Sequence, residues 1–479
     1  MANSSNSDQS AKPEYLYRFR SIDKLLGKKE LERSEFRLAS PSELNDPMEG
    51  YKDVVFRGDD VLWENLLRHY ILALVSSTLN SMVLGDASSD APDIRAALTA
   101  DDLPTDAFRA LYREACDQFF GRPGASSLSA RLTALRKPLR REGVIFLLGL
   151  VHSSALAVVT RVMKGAGVLP PNTPELPVGD GDLSEILGAF EAASAEEASD
   201  DFESVAFAAN RARDEQSLRA LIRFETMNAE GARRLRFLLY TFPERYVESV
   251  IDGLVYPRWH TVCFSGNCTD ASMWGVYGDE HRGVALVFRP QTEDGRLIIP
   301  LVGANGTSSV VGQPTQYTRG PIKGFLEEVT YSDRPPEVDF FQSLGTLSRA
   351  KLERAWHVTP SGARSKLVDG MLTQHAEWKE AYWEGFRRAA TTKLLDWKHE
   401  QEYRFFLADI LNLGDEPTNR LVQYDLSSLV GIVFGLRTSE KHKLELMKAA
   451  IALCNSAGRS EFAFHQMAYS ATHGQLLCV

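Results

Sequence analysis

The feature that most constrains this chain is a change of texture. Residues 15–56 and the chain after Pro257 read as strands and turns, but from about Asp60 to Val250 Ala, Leu, Arg and Glu recur at helical spacing, as in "LIRFETMNAEGARRLRFLLYTF". A sheet in such a chain must be assembled from segments on both sides of the helical block. The opening carries the alternating "YLYRFR", a short helical "SIDKLLGKKEL", a second strand "EFRLAS" and the turn "PSELNDPMEG". Strand signals return in "HTVCFS", "RGVALVFRP", "GRLIIPLV", "EEVTYSD", "EQEYRFFLAD", "GIVFG" and "FAFHQMAYSA". The expected class is α+β, with a mostly antiparallel sheet core and a large all-helical insertion. The expected boundaries are a disordered leader at 1–14, a discontinuous α+β domain at 15–56 and 255–479, and a helical insertion at 57–254. Two further helices are expected, one around Leu367–Leu395 and one in "TSEKHKLELMKAAIALC", with Thr438 and Ser439 as candidate caps.

Composition narrows the function classes. A net charge of −10 provides no global basic field, so nucleic acid is not the default partner. Five cysteines, odd in number and without a CxxC pair, fit a reducing, cytoplasmic setting. The polar start "MANSSNSDQSAKPE" has no apolar signal region, and the apolar run Gly143–Thr160 is broken by His152, Ser153 and Ser154, which favours a buried helix over a membrane span. No GxGxxG after a strand, GxxxxGK[ST] or GxSxG is present, which removes the Rossmann, P-loop and α/β-hydrolase readings. The pair His399–Glu400 lacks a second histidine four residues on, where Tyr403 stands, and no metal is predicted.

Four stretches combine polar and aromatic residues. Read as a strand, "WKHEQEYRFF" places Glu400, Glu402 and Arg404 on one face, neighbouring carboxylates ~6.6–6.8 Å apart. In "YLYRFRS", Tyr15, Tyr17 and Phe19 share one face and Arg18 and Arg20 the other, where a guanidinium suits a phosphate. Asn45-Asp46-Pro47 suits a tight turn. In "CFSGNCTDASMWGVYGDEHRGVALVF" a strand ends at Ser265, and a short helix follows on which Trp274, Tyr277 and His281 are spaced to share a face.

Taken in order, these stretches and "VGIVFG" resemble the bacterial family known as domain of unknown function 2971, over roughly residues 15–56 and 255–440. The order of an arginine on the first strand, a serine ending a central strand and a Glu-x-Glu strand is also similar to that of ADP-ribosyltransferases, which implies a split sheet and NAD as substrate. On that resemblance Arg20, or Arg18, binds the pyrophosphate, Ser265 orients Glu402, Glu402 holds the ribose, and Glu400 activates the acceptor. Tyr277 or Trp274 stacks on nicotinamide, and Tyr17, Asn45, Asp46, His281 and Arg404 complete the binding residues. Those residue types suit an oxocarbenium-like transition state. The expectation is an NAD-consuming transferase or glycohydrolase acting as a toxin or antiphage effector on a protein or nucleic-acid acceptor, with homo-oligomerisation through the insertion. The alternatives are a non-catalytic nucleotide-binding sensor and a metal-dependent nuclease using Glu400, Glu402, Asp46 and Glu49.

Overall fold

A strand needs alternation and a neighbour to pair with, and the β-rich segments of this chain find theirs across great sequence distance. The computed structural model describes residues 12–83, 94–173, 199–226, 235–310 and 312–479, with isolated positions between 183 and 192. The leader up to residue 11, part of the Pro/Gly-rich loop and the whole "MNAEGARR" stretch lie outside the described residues. The chain divides into two compact units: Met1–Tyr51 with Arg258–Pro336 and Arg387–Val479, and Lys52–Pro257 with Glu337–Phe386.

The first unit is built on a twelve-stranded sheet. In chain order its strands are β1 Leu16–Arg20, β2 Glu35–Arg37, β3 Trp259–Ser265, β4 Val284–Phe288, β5 Gln291–Glu293, β6 Arg296–Ser308, β7 Gln316–Glu328, β8 Glu402–Ala408, β9 Leu421–Tyr424, β10 Leu429–Phe434, β11 Ala463–Ser470 and β12 Gln475–Cys478. They lie in the order β12-β11-β10-β4-β1-β3-β8-β7-β6-β9-β2, with β5 paired to β6. All pairings are antiparallel except β10 with β11. The sheet curls back on itself, because Ala39, just past β2, exchanges two 2.8 Å backbone hydrogen bonds with Thr261 of β3. One face buries Leu16, Phe36, Val262, Phe264, Phe288 and Phe405. The other packs Phe19, Ala285, Val287 and Val433 with Trp274 of the helix α1 Ala271–Val276, whose first turn is capped by Asp270. Ser439 caps the helix α2 Glu440–Ser456 by accepting from the His442 amide.

The second unit holds the long helices Asp60–Val83, Asp106–Phe120, Arg141–Gly165 and Ser199–Thr226. It is not all-helical. Asp53–Phe56 pairs in parallel with Glu337–Asp339 and antiparallel with Leu139–Arg140. That pairing draws Glu337–Phe386 into this unit, although the sequence reading placed the segment in the α+β domain. The apolar helix Arg141–Gly165 is long enough to cross a membrane, and 72% of its most apolar window is buried inside the protein. The expected helix around Leu367–Leu395 is broken: a helix at His375–Ala390 is followed by a short strand, Thr392–Leu394, and a 3₁₀ turn, Leu395–Glu400.

Candidate functional site

The site forms where β1 peels away from β3. The two strands share a single register pair, Tyr17 opposite Ser265, while four residues earlier Thr261 has already turned to Ala39. Glu402 of β8 pairs with Ser265 from the other side, so Tyr17, Ser265 and Glu402 lie in line across three strands. Side-chain alternation puts Phe264 and Ser265 on opposite faces. A cavity of about 350 Å³ occupies the opening and is lined from both. That volume is at the low end of the range for small-molecule sites.

One lobe of the cavity is cationic, lined by Arg18, Arg20, Lys24, Lys28 and Arg37 with Glu30 and Glu43. Arg20 faces Glu30 with 3.0 Å between Nε and Oε2, and Arg37 is paired with Glu43. Arg18 is different. It is 6% exposed, its guanidinium lies over the rings of Phe36 and Phe264, and its hydrogen bond is a long one, 3.3 Å from Nη1 to the carbonyl of Cys263. No carboxylate pairs with it among the described residues. Burial, reinforced by the neighbouring Arg20 charge, pushes its pKa down to about 9. The sequence could not choose between the two arginines. The structure distinguishes them: Arg20 has a carboxylate partner in Glu30, whereas among the described residues Arg18 has only the Cys263 carbonyl.

The other lobe is acidic, with Glu400, Glu402, Tyr277, Ser265 and Lys393 on its wall. Glu402 is the first residue of β8, but Glu400 ends the preceding 3₁₀ turn, and Gln401 between them takes a left-handed φ of 43°. The two acids therefore do not share a strand face as expected; the kink turns both towards the ammonium of Lys393. Lys393 hydrogen-bonds Glu400, reaches Glu402 at 3.2 Å and lies 3.7 Å from Glu49. Burial would lower its pKa, but the charges of Glu402, Glu400 and Glu49 together raise it well above the usual lysine value. Glu402 is gripped by Arg404 through two hydrogen bonds of 2.9 and 2.8 Å. Burial opposes its ionisation, yet Arg404 and then Lys393 hold its pKa down to about 2. Glu400 accepts a 2.6 Å hydrogen bond from the Tyr277 hydroxyl, and burial outweighs Lys393 to raise its pKa above the ordinary carboxylate value. With Glu49, Glu400 and Glu402 against Lys393 and Arg404, the cluster carries one uncompensated negative charge when fully ionised. Glu400 is the member that takes up the proton.

Other expected residues divide. Tyr17 and Asn45 line the cavity. Ser265 lines it too, but its Oγ lies 2.7 Å from the carbonyl of Glu400 and 2.8 Å from that of Asn267, so it fixes the backbone before β8 and does not bond the Glu402 carboxylate. Asp46 is buried and accepts from the Met48 amide, closing its own turn. Trp274 is fully buried, donates to the Cys268 carbonyl at 2.7 Å and packs edge-on to Phe19; it belongs to the core. His281 stacks behind Trp274, away from the cavity lining, because α1 ends before Tyr277 and the helical face expected to carry all three does not form. Arg404 sits wholly inside, between Glu402 and Glu49. Sequence reasoning missed Lys393, Lys24 and Lys28: Lys393 fell within an expected helix, and only its place before two acids hinted at a role. Among the described residues no group of three His, Cys, Asp or Glu side chains is arranged to hold a metal ion.

A family profile described as "Protein of unknown function (DUF2971)" matches residues 273–405, which include Tyr277, Lys393, Glu400, Glu402 and Arg404. The segment belongs to the DUF2971 family. Arg18, Asn45 and Ser265 lie outside the matched range. No curated protein and no solved structure matches the chain.

Proposed function

We propose that the first unit binds a nucleotide and cleaves the bond between its ribose and base, with NAD the leading candidate. The phosphates lie in the cationic lobe and the sugar over the acidic one. The observation that carries this reading is that Arg18, a buried guanidinium with no ion-paired carboxylate among the described residues, opens on the same cavity as Glu400, a buried carboxylate ready to accept a proton. A protein keeps an unpaired buried cation at a cost in stability, which a bound phosphate offsets. Rupture of the glycosidic bond sends its electron pair to the nicotinamide nitrogen and leaves positive charge on the ribose, which the net negative cluster stabilises. Water attacks the anomeric carbon and gives its proton to Glu400. In this scheme Glu400 does the chemistry, while Glu402, committed to Arg404 and Lys393, positions it.

Incubating the pure chain with NAD and following nicotinamide release tests the reading. Turnover is expected in the wild type and lost in Glu400→Gln; equal turnover in both would overturn it. The grip of Arg404 on Glu402 favours a second reading, a nucleotide sensor without turnover. There the wild type binds NAD with no release of nicotinamide.

A further inference from the structure

The cationic lobe holds more positive charge than a dinucleotide bridge neutralises. Of the five cations that line it, Arg20 and Arg37 are answered by Glu30 and Glu43. Arg18, Lys24 and Lys28 have no carboxylate partner among the described residues. Lys24 and Lys28 belong to the tight turn that directly follows β1, Asp23–Gly27 with its cap Lys28, and are spaced four residues apart along it. Leu25, between them, is buried in the core and pins the turn, with the two lysines at the cavity wall. Partial burial, then the charge of Arg20, lowers the pKa of Lys24, so these cations crowd one another. The pyrophosphate bridge of a dinucleotide brings two negative charges; a terminal, singly substituted phosphate brings roughly 1.5–2 more at neutral pH.

We propose that Lys24 and Lys28 form a second anion subsite that selects nucleotides carrying a terminal, singly substituted phosphate in addition to their internal phosphates. The inference rests on the nucleotide reading of the cavity. Arg18, buried against Phe36 and Phe264, takes the internal phosphate, and the lysines at the mouth take the outer one, each through charge-assisted hydrogen bonds.

Titration calorimetry of the full chain with NAD, NADP and ATP tests this. The 2′-phosphate of NADP, a monoester, and the terminal anhydride phosphate of ATP are the two sources of a singly substituted phosphate, and NAD has none. The wild type is expected to bind NADP or ATP roughly tenfold or more tightly than NAD, and whichever is preferred identifies the source. In Lys24→Met with Lys28→Met, both exposed side chains, that ratio is expected to fall towards one. Equal wild-type affinities for the three ligands, or a preference that survives the double substitution, overturn this inference and leave the nucleotide site standing. Failure of all three to bind overturns the site itself.

Discussion

Replacing Arg404 by Met keeps the length of the side chain and removes its charge. Arg404 is 0% exposed and makes hydrogen bonds of 2.9 and 2.8 Å to Glu402, 2.6 Å to Glu49 and 2.6 Å to the carbonyl of Ala390. Without it Lys393 is, among the described residues, the one cation left beside the two buried carboxylates. Removing one partner of a buried ion pair costs about 3–5 kcal/mol. In a unit of this size each kcal/mol moves the melting temperature by about 2–4 °C, so a fall of about 6–20 °C is expected by thermal denaturation at pH 7. Acid should narrow the gap. Glu402 titrates at about 2 in the folded wild type, below its unfolded value, so it contributes stability above the unfolded pKa that is lost as pH falls towards 2. In the variant the largest cause of that depression is gone, and Glu402 protonates at higher pH and sheds its uncompensated charge. The wild-type advantage should therefore be smaller at pH 4 than at pH 7. A fall of less than about 2 °C, or a gap that is the same at both pH values, would refute the argument that Arg404 anchors these acids.

Glu400→Gln should leave the fold intact, since Lys393 keeps Glu402 and Glu49, and circular dichroism should match the wild type while nicotinamide release disappears. Because a general base must be ionised, wild-type turnover should decline as pH falls through an inflection above the ordinary carboxylate range, the direction in which burial moves Glu400. Arg18→Met should raise the melting temperature of the ligand-free protein by a few degrees, by removing a buried unpaired cation, and should abolish the shift produced by nucleotide. Cys478 is exposed and accepts a thiol hydrogen bond from Cys268 that lowers its pKa, so it should be alkylated ahead of the other four cysteines near neutral pH and more slowly in Cys268→Ala.

The strands that carry the site were readable because alternation survives in them: "YLYRFR", "HTVCFS" and "EYRFFLA" are β1, β3 and β8, and they meet as neighbours. What alternation cannot convey is a break in it. Glu400 looks like part of a strand until Gln401 turns left-handed, a conformation that glutamine gives no warning of. Arg18 and Arg20 share a strand face, and only the return of Glu30 after the turn separates their roles. The strand β7 contains Gly320, Pro321 and Gly324, which obscure its pattern, so all of it before Glu327 was not expected. Lys393 was hidden inside an aromatic run that reads as helix as far as Leu395, although the helix ends at Ala390 and the chain is extended at Thr392–Leu394. Trp274 is the opposite case: spacing marked it for the site, but a fully buried indole satisfied by the Cys268 carbonyl is packing.

The most direct test is a crystal structure of the chain with ADP-ribose, which holds the phosphates and sugar of NAD in one ligand. The account predicts phosphate oxygens within hydrogen-bond reach of Arg18 and the terminal ribose against Glu400 and Tyr277. Density for the ligand on another surface, or phosphates that leave Arg18 unpaired, would contradict it.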